Sequence, residues 1–554
     1  GKVDRARLPV PAMATEAVGP TETLANPIEE VVAGIWARCL GLEAVGLDDD
    51  FFALGGHSLL AAELLGQINA ASGVDLAVPV LFEAPTPRKL AAEAEAAISS
   101  PEVDRPLPLH PAVRAGAIPL TRGQARLWAA SRLQSNSGSY NLSGVVSLPN
   151  RCVPEVLTRA FNEVVNRHEA LRTRILEVDG RPRQVVEAAV WVDVPVDDLT
   201  ALEGAQAERR AGERIDDLAT TRFALDSAPL VSARLLRLPD GDRLAVVTHH
   251  IVADGWSLRV LFRELLTVHD AFSQGRASPL PGLSAQFADW VVWQRESHRH
   301  REPQLAFWRD RLRGLPESVE LSNRPRPPVP RNRGRSLSFA VDADTTSGLR
   351  DVCRRESCTL FMALLAAYAT LLHRRTGATD VAVGTDMANR VPPGSEALVG
   401  MFINQIVLRL DLDGEPDFRE LLRRARRATG EAHAHQSVPF EELVDELLPS
   451  RDPSLPPLVQ VKLVLENTDS GLHASSEDDG PEPSRSEARD DTPAQLDLTL
   501  YVYDLGRRLR GLLVYDVDLF DDEDAESLAR EFHEILRELV ADPAAQAAQE
   551  AFAR

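Results

Sequence analysis

The sequence predicts a multidomain protein in which a small all-α helical bundle precedes a larger α/β region. Apolar residues recur at helical spacing between residues 26 and 98, whereas strand-like and helix-like segments alternate from about residue 119. The chain has 554 residues, of which 44% are hydrophobic, so it can bury several cores. At about 100–200 residues per domain, the α/β region is too long for one core, which predicts two lobes.

The bundle is predicted from three helical segments that begin near Ile28, Leu59 and Leu90. A long loop, GLEAVGLDDDFFALGGH, leads to Ser58, whose hydroxyl has the chemistry to cap the second helix. Two proline-bearing stretches without hydrophobic period are expected to be linkers. The predicted boundaries are a tail and linker at 1–25, the bundle at 26–98, a linker at 99–118, and lobes at 119–295 and 296–554.

Helices and strands in the two lobes follow from local signals. A helix over 153–167 has Pro154 in its first turn, and the strand-like RLAVVTHHIV precedes a helix that starts at Ser257. The apolar run Leu360 to Leu372 predicts a buried helix. The acidic stretch 467–492 has almost nothing apolar to bury, so we expect a loop between two strands.

Net charge, hydropathy and cysteine content limit the partners, the location and the metal content that the sequence predicts. Lys and Arg total 61 against 83 Asp and Glu, a net charge of −22, which argues against nucleic acid as a partner. No apolar run reaches the roughly 20 residues of a membrane span, and the first twenty residues lack the apolar core of a signal peptide, so we expect a cytoplasmic protein without a membrane partner. The four cysteines match neither zinc knuckles nor a redox pair, which predicts reduced thiols and no metal.

Ser58 follows two glycines in LGGHSLL and admits three interpretations. A hydrolase nucleophile elbow needs a second glycine where Leu60 stands, and no strand leads into this turn, so nucleophilic catalysis is disfavoured. The second interpretation is a simple helix cap. The third is covalent modification, because a phosphodiester at a helix start would meet free N–H groups and the positive end of the helix dipole.

The whole segment 26–98, with DDDFFALGGHSLLAAEL, resembles a peptidyl carrier domain of nonribosomal peptide synthetases. The resemblance implies that Ser58 carries 4′-phosphopantetheine, attached by a phosphopantetheinyl transferase. Residues 1–5, GKVDR, resemble the end of an adenylation domain, so an adjacent adenylation domain is an implied partner. Lys2 is then expected to be a solvated tail residue.

A second motif, HHIVADG, joins His249 and His250 to Asp254 and Gly255. Adjacent side chains on a strand point to opposite faces, so the two histidines cannot easily bind one metal. The strand end places an imidazole at a sheet edge, where a cleft can form. An imidazole of ordinary pKa, near 6.5, is neutral enough at pH 7 to accept a proton.

This HHxxxDG pattern, together with LTRGQARLW, RHEALRT and VGMFINQ in that order, resembles the condensation domains of the same synthetases over about residues 119–545. A more distant resemblance is to chloramphenicol acetyltransferase-like acyltransferases. These resemblances imply two acyltransferase-like α/β lobes arranged as a V, with a tunnel between them. The implied reaction is amide formation, in which the amine on a downstream acceptor carrier attacks the peptidyl or aminoacyl thioester on the donor carrier.

The resemblance also suggests residue roles. His250 would accept a hydrogen bond or the proton of the amine, His249 would face into the lobe, and the backbone at Gly255 could approach the oxyanion because no Cβ intervenes. Asp254 would be architectural, with Arg172 of RHEALRT as its suggested partner. Two alternatives stay open: an epimerisation domain of the same superfamily, and an inactive condensation-like platform that recruits other enzymes.

Overall fold

The structure is a computed structural model in which two compact units are found, one containing four helices and the other containing all the strands. It describes residues 27–42, 44–52, 54–56, 58–72, 74, 76, 78–99, 109–114, 116–133, 137–148, 150–296, 301–390, 392–448, 452, 454–467 and 489–547. The predicted tail at 1–25 lies outside the described residues.

The first unit is a bundle of four helices: α1 (Pro27–Leu40), α2 (Ser58–Ser72), α3 (Val78–Glu83) and α4 (Pro87–Ser99). Its core contains Trp36 and Phe51, whose rings meet edge to face with their centroids 5.3 Å apart. The predicted three helical segments correspond to α1, α2 and α4. The short helix α3 was not predicted, because six residues are too few to show a helical period.

The first lobe of the second unit contains two sheets. Four strands lie in the order β2, β7, β6, β5, and three further strands lie in the order β1, β4, β3. Helix α6 begins at a proline and buries one apolar face against this lobe's core. The elements are β1 (Ile118–Pro119), α5 (Arg122–Leu133), β2 (Asn141–Ser147), α6 (Pro154–Arg167), β3 (Thr173–Val178), β4 (Arg181–Val186), β5 (Val196–Asp198), α7 (Gly204–Ala219), β6 (Val231–Arg237), β7 (Asp242–His249), α8 (Gly255–Ser273) and α9 (Phe287–Glu296).

The second lobe is built on a seven-stranded sheet in the order β10, β9, β11, β13, β14, β8, β12. Its central helix, α12, is buried continuously from Met362 to Leu372, as the apolar run predicted. The elements are α10 (Arg301–Arg311), β8 (Arg333–Val341), α11 (Ala343–Arg355), α12 (Leu360–Thr376), β9 (Asp380–Met387), β10 (Asn404–Asp411), α13 (Phe418–Ala434), α14 (Phe440–Leu447), β11 (Val461–Asn467), β12 (Arg489–Pro493), β13 (Leu498–Asp504), β14 (Leu509–Asp516) and α15 (Asp522–Ala541).

The predicted fold class, a helical bundle followed by an α/β region with two lobes, is confirmed. Within the described part of the chain, no single helix is both long and apolar enough to cross a membrane. Helices α11 and α12 meet that length and composition test only as a pair, bent by 108°.

Two local predictions were wrong, those for the acidic stretch and for the start of α8, and the end of the predicted linker makes contacts that the sequence did not indicate. The end of the predicted linker is fixed to the first lobe, because the Ala112 backbone N–H donates to Asp289 at 2.9 Å and Arg114 forms an ion pair with the same carboxylate at 2.7 Å. The end of the predicted acidic loop forms strand β12, which pairs with β8. Helix α8 begins at Gly255 rather than at Ser257, because the Asp254 side chain caps it.

A loop of the second lobe enters the core of the first. Leu398, Val399, Met401 and Phe402 belong to the same buried cluster as the first-lobe helices α6 and α8. These residues lie between β9 and β10: Val399, Met401 and Phe402 belong to the VGMFINQ segment, and Leu398 directly precedes it. A boundary drawn along the sequence at residue 296 therefore does not divide the packed cores.

Candidate active site and attachment site

The loop before Ser58 is held by contacts within its own segment and by contacts with the residues around the start of α4, where the Pro85 carbonyl accepts from the Phe51 backbone N–H at 2.8 Å and Arg88 pairs with Asp48 at 2.9 Å. The Asp49 carboxylate accepts from the Gly46 backbone N–H at 2.6 Å, and Asp50 accepts from the Phe52 backbone N–H at 2.9 Å. A Cβ on Gly56 would lie 2.3 Å from the Phe51 ring, so only glycine fits where the loop passes this buried side chain. These contacts fix the path of the loop up to the start of helix α2.

Ser58 is the first residue of the 15-residue helix α2, although the structure does not describe its side chain, and His57 lies outside the described residues. The preceding Gly55 is exposed and has φ of +96°, a left-handed conformation that favours glycine. A hydroxyl residue at a helix N-terminus, after an exposed turn, fits attachment of a phosphodiester. The residues present are therefore compatible with phosphopantetheine at Ser58.

His250 is the residue immediately after strand β7, and it is partly exposed. Its backbone N–H donates to the Tyr140 carbonyl at 2.8 Å, and its ring Nδ1 lies 2.9 Å from the Ala253 carbonyl oxygen. A carbonyl oxygen only accepts, so this contact requires a hydrogen on Nδ1. In the neutral ring the lone pair is then on Nε2, which has no hydrogen-bond partner among the described residues.

His249 is the last residue of β7 and is buried, with 1% of its surface exposed. Its Nδ1 accepts from the Ile251 backbone N–H at 3.1 Å, and its ring lies near the rings of Tyr140 and Phe223, with centroids 6.4 and 6.5 Å away. Burial, helped by the neighbouring His250, lowers the pKa of His249 to about 4. The ring therefore stays neutral at pH 7 and belongs to the packed interior.

The Asp254 carboxylate is buried and joins the two lobes. One oxygen accepts from the Ser257 backbone N–H at 2.8 Å and from Arg390 at 3.1 Å, and the other accepts from the Phe402 backbone N–H at 3.0 Å. Arg390 also donates to the carbonyls of Ser395 and Leu398 at 2.6 and 2.7 Å. This buried ion pair, whose two partners make further hydrogen bonds although Arg390 Nε has no partner among the described residues, holds the loop that follows His250.

The predicted pairing of Asp254 with Arg172 is wrong. Arg172 donates to the carbonyls of Asn166 and Glu187, the first at 3.2 Å, and its nearest carboxylate is Glu169 at 3.7 Å. The partner of Asp254 is Arg390, which comes from the second lobe, with both side chains 3% exposed. Arg172 instead fixes the segment around the RHEALRT turn.

Arg390 and Ser257 are site residues that the sequence analysis missed. The Ser257 hydroxyl lies 2.6 Å from Asp254 and 2.9 Å from the Gly400 carbonyl, and it accepts from the Gly400 backbone N–H at 3.0 Å. The only sequence signal for Arg390 is a polar Asn-Arg pair after a strand, and that pattern does not specify a partner. A signal for the cap was present, since Asp is a preferred N-cap residue, but it did not specify that the Ser257 hydroxyl would bond to that carboxylate.

Gly255, the first residue of α8, is exposed, and a Cβ placed there would have no neighbouring atom within 4 Å. The backbone at the start of α8 is therefore open on that side. Open backbone beside the partly exposed His250 leaves room for a reacting group to approach the strand end. The geometry brings His250, Asp254 and Gly255 together in one loop and places His249 and Arg172 outside it.

The described residues include neither a cluster of possible metal ligands nor a disulfide bond. Among the residues that the structure describes, no group of three or more His, Cys, Asp or Glu side chains is placed to hold a metal ion. The four cysteines form no disulfide. Burial raises the pKa of the Cys39 and Cys152 thiols to about 11, so both stay protonated at pH 7.

Two family models match the chain. A condensation domain model matches residues 114–553, and a phosphopantetheine attachment site model matches residues 30–94. The first match covers all the strands and the His250 loop, and the second covers the helices α2 and α3 with Ser58.

Curated and solved proteins agree with these matches. A linear gramicidin synthase component of Brevibacillus parabrevis is 38% identical over 550 residues, which are 98% of this chain but only 11% of that protein. A solved complex of the X-domain and OxyB from teicoplanin biosynthesis matches with a TM-score of 0.66 and 27% identity, covering 81% of this chain and 98% of that one.

The fold is also that of the first condensation domain of the calcium-dependent antibiotic synthetase, solved with a substrate analogue. The TM-score is 0.64 at 23% identity, covering 79% of this chain and all of that one. The chain spans about a tenth of the length of curated relatives such as the gramicidin synthase component. From the buried loop that joins His250 to both lobes and from these matches, we conclude that the chain belongs to the condensation-domain family of nonribosomal peptide synthetases and includes a phosphopantetheine-binding carrier domain.

Proposed function

We propose that this chain forms a peptide bond, by attack of an acceptor aminoacyl amine on a donor peptidyl or aminoacyl thioester. The observation that supports this most directly is the tautomer of His250: Nδ1 donates to Ala253, which leaves the lone pair of Nε2 without a partner among the described residues, at a partly exposed strand end. That nitrogen can accept a hydrogen bond or a proton from an attacking amine.

In this reaction a C–N bond forms and the C–S bond of the thioester breaks, while one proton leaves the amine and one is taken up by the departing sulfur. An α-amine of pKa near 7.8 is roughly 10–20% unprotonated at pH 7, so the resting amine is not the main barrier. Holding the two reactants in line and accepting the proton as the bond forms demand more. His250 would accept the proton as the bond forms, and the Asp254–Arg390 pair fixes the loop that positions His250.

Ser58 would hold phosphopantetheine, which supplies the thiol that bears an acyl group as a thioester. The carrier precedes the condensation domain, so we assign it to the donor side. The proposed partners are a downstream acceptor carrier, an adjacent adenylation domain and a phosphopantetheinyl transferase. The length of the gramicidin synthase relative supports such neighbours, because the matched segment is 11% of that protein.

The test is single-turnover condensation with the carrier primed and loaded and an aminoacyl acceptor carrier supplied. We expect a dipeptidyl product from the native chain and a rate lower by about 10²–10⁴ in His250→Ala. Loading of both carriers is verified by intact-protein mass spectrometry. The proposal fails if fully loaded native chain makes no product. A loss below about tenfold in His250→Ala would contradict the role as base.

A second candidate is a platform that recruits other enzymes. A similar X-domain was solved in a complex with OxyB, and this complex is the observation that favours a recruiting role. The intact loop of His250, Asp254 and Gly255 supports catalysis instead. Product formation in the loaded assay separates the two roles.

A further inference from the structure

Gln124, in the LTRGQARLW segment, is a fully buried amide in the first turn of α5. Its backbone N–H donates to the Thr121 hydroxyl at 3.0 Å, and its side-chain oxygen accepts from the Thr121 backbone N–H at 3.0 Å. This reciprocal pair is a capping box, in which two residues three positions apart satisfy each other's backbone N–H at a helix start. Because the side-chain oxygen is fixed in this way, the amide nitrogen of Gln124 points away from Thr121.

The amide nitrogen of Gln124 donates to the loop that carries His250. It donates to the Ile251 carbonyl at 2.8 Å and to the side-chain oxygen of Gln184 at 3.2 Å. Gln184 is also buried, and its own amide nitrogen donates to the Pro119 carbonyl at 2.9 Å. Both hydrogens of the Gln124 amide therefore have an acceptor and its oxygen has a donor, so the orientation of the group is fully specified.

The Ile251 carbonyl belongs to the turn that sets the His250 ring. The Ile251 backbone N–H donates to Nδ1 of His249 at 3.1 Å, and the Val252 backbone N–H donates to the His249 carbonyl at 3.1 Å. The Ala253 carbonyl, two residues after Ile251, accepts from Nδ1 of His250 at 2.9 Å. Rotation of the peptide group after Ile251 would therefore move the acceptor that fixes the tautomer of His250.

A capping box by itself does not require a buried glutamine. The box uses only the side-chain oxygen, and at an exposed helix start the nitrogen would bond to water. Gln124 and Ile251 are both fully buried, so water does not replace this bond, and an Ile251 carbonyl without a donor would be unfavourable. The nitrogen of Gln124 thus serves the loop, whereas its oxygen serves the helix.

We propose that Gln124 is a positioning residue for the condensation reaction. Its amide holds the Ile251 carbonyl, and this bond stabilises the turn that keeps the hydrogen of His250 on Nδ1 and the lone pair on Nε2. The inference rests on the proposed function, because the direction of that lone pair affects the rate only if His250 accepts from the attacking amine. Gln124 acts through His250 rather than on the substrate.

The first test observes His250 directly and needs no turnover. The full chain is prepared with isotope-labelled histidine, and the His250 signal in nuclear magnetic resonance spectra is assigned by its loss in His250→Ala. At alkaline pH, where imidazole rings are neutral, the native ring should be protonated on Nδ1 only. Gln124→Met keeps the length of the side chain without the donor, and we expect it to show a mixture of both tautomers.

Asn162→Leu is the matched control for loss of a buried amide in the same lobe. The Asn162 side chain donates to the carbonyls of Thr158 and Val192 and accepts from the Val192 backbone N–H, all within 2.8 Å. Its replacement removes as many hydrogen bonds but none to the His250 loop, so the native His250 spectrum should be retained. An unchanged His250 spectrum in folded Gln124→Met would overturn the proposal, as would the same change in Asn162→Leu.

The second test is the single-turnover rate with both carriers loaded. Gln124→Met should lower the rate about 10- to 100-fold through misplacement of the ring, without a matching change in the acceptor concentration that gives half the maximal rate. In the His250→Ala background, Gln124→Met should cause less than about twofold further loss, because both changes act through the same imidazole. An equal loss in both backgrounds would contradict a role that acts through His250.

Spectra and turnover separate this proposal from the proposed function. If loaded chains make no product but Gln124→Met changes the His250 tautomer, then the condensation role fails and the positioning role stands. If product forms and folded Gln124→Met keeps the native rate and spectrum, then the positioning role fails and the condensation role stands. Thermal unfolding verifies folding. If Gln124→Met does not fold, Gln124→Asn, whose amide is one methylene shorter, should give the same change in the spectrum, and a native spectrum there would overturn the proposal.

Discussion

The Ser58 loop and the His250 loop both lead into the first turn of a helix, yet their contacts come from very different distances along the chain. In the Ser58 loop, Asp49 and Asp50 contact residues at most three positions away, and the longest-range contacts join Phe51 to Pro85 and Asp48 to Arg88, which are 34 and 40 positions away. Asp254, in contrast, contacts Arg390 and Phe402, which are 136 and 148 positions away. The attachment loop is thus held by contacts within the helical bundle, whereas the condensation loop is held by contacts that join the two lobes.

The largest expected effect is at the attachment loop. Ser58→Ala removes the hydroxyl that would form the phosphodiester, so the mass increase produced by a phosphopantetheinyl transferase should disappear completely. Ser72→Ala, at the other end of α2, should be modified like the native chain. Intact-protein mass spectrometry measures both, and circular dichroism verifies the helices. Modification of Ser58→Ala would contradict this assignment, because phosphopantetheine would then be attached to a residue outside this loop.

The next effect concerns the long-range loop. Asp254→Ala leaves the Arg390 charge buried without its partner and removes the acceptor for two backbone N–H groups. We expect the condensation unit to lose about 3 kcal/mol or more of its free energy of unfolding. Urea unfolding measures the loss. Glu526→Ala, at an exposed position of α15, should change stability by less than about 0.5 kcal/mol.

The condensation rate of Asp254→Ala should also fall while phosphopantetheine attachment at Ser58 continues. That separation is expected because the contacts that hold each loop come from residues of its own unit. An Asp254→Ala chain as stable as the native one would show that the inter-lobe pair does not hold the loop.

The smallest expected effects come from two glycines that each lie against an aromatic ring. A Cβ would come within 2.3 Å of Phe51 at Gly56 and within 2.2 Å of Phe287 at Gly400. Alanine at either position should cost about 1–3 kcal/mol through overpacking. Gly212→Ala in α7, where a Cβ meets no atom within 4 Å, is the control and should be neutral or slightly stabilising.

Amide hydrogen exchange shows which segments lose stability in each glycine variant and so tests whether the two loops differ. Gly56→Ala should raise exchange only within the carrier helices. Gly400→Ala should raise exchange in its own loop and also around Asp254 and Ser257, because its backbone bonds to the Ser257 hydroxyl. Unchanged exchange at the His250 loop in Gly400→Ala would contradict the long-range coupling.

Much of the fold could be predicted from short-range signals. Pro154 marks the start of α6, and the apolar run at Leu360 predicts the buried α12. The prediction failed for α3 and β12, since the first is too short for a period and the second is polar and pairs at a sheet edge. The mistaken assignment of Arg172 as the partner of Asp254 has another origin: nothing in the spacing of residues specifies which guanidinium will reach a buried carboxylate.

The amino-acid sequence alone determined the helix start at Ser58, the strand that ends in two histidines and the apolar faces that require burial, because these depend on residues within a few positions of one another. Only the tertiary structure decided that Arg390 of the second lobe, rather than Arg172, neutralises Asp254. Charge pairing depends on distance and burial in three dimensions, and these are set by the packing of segments that are far apart in the chain.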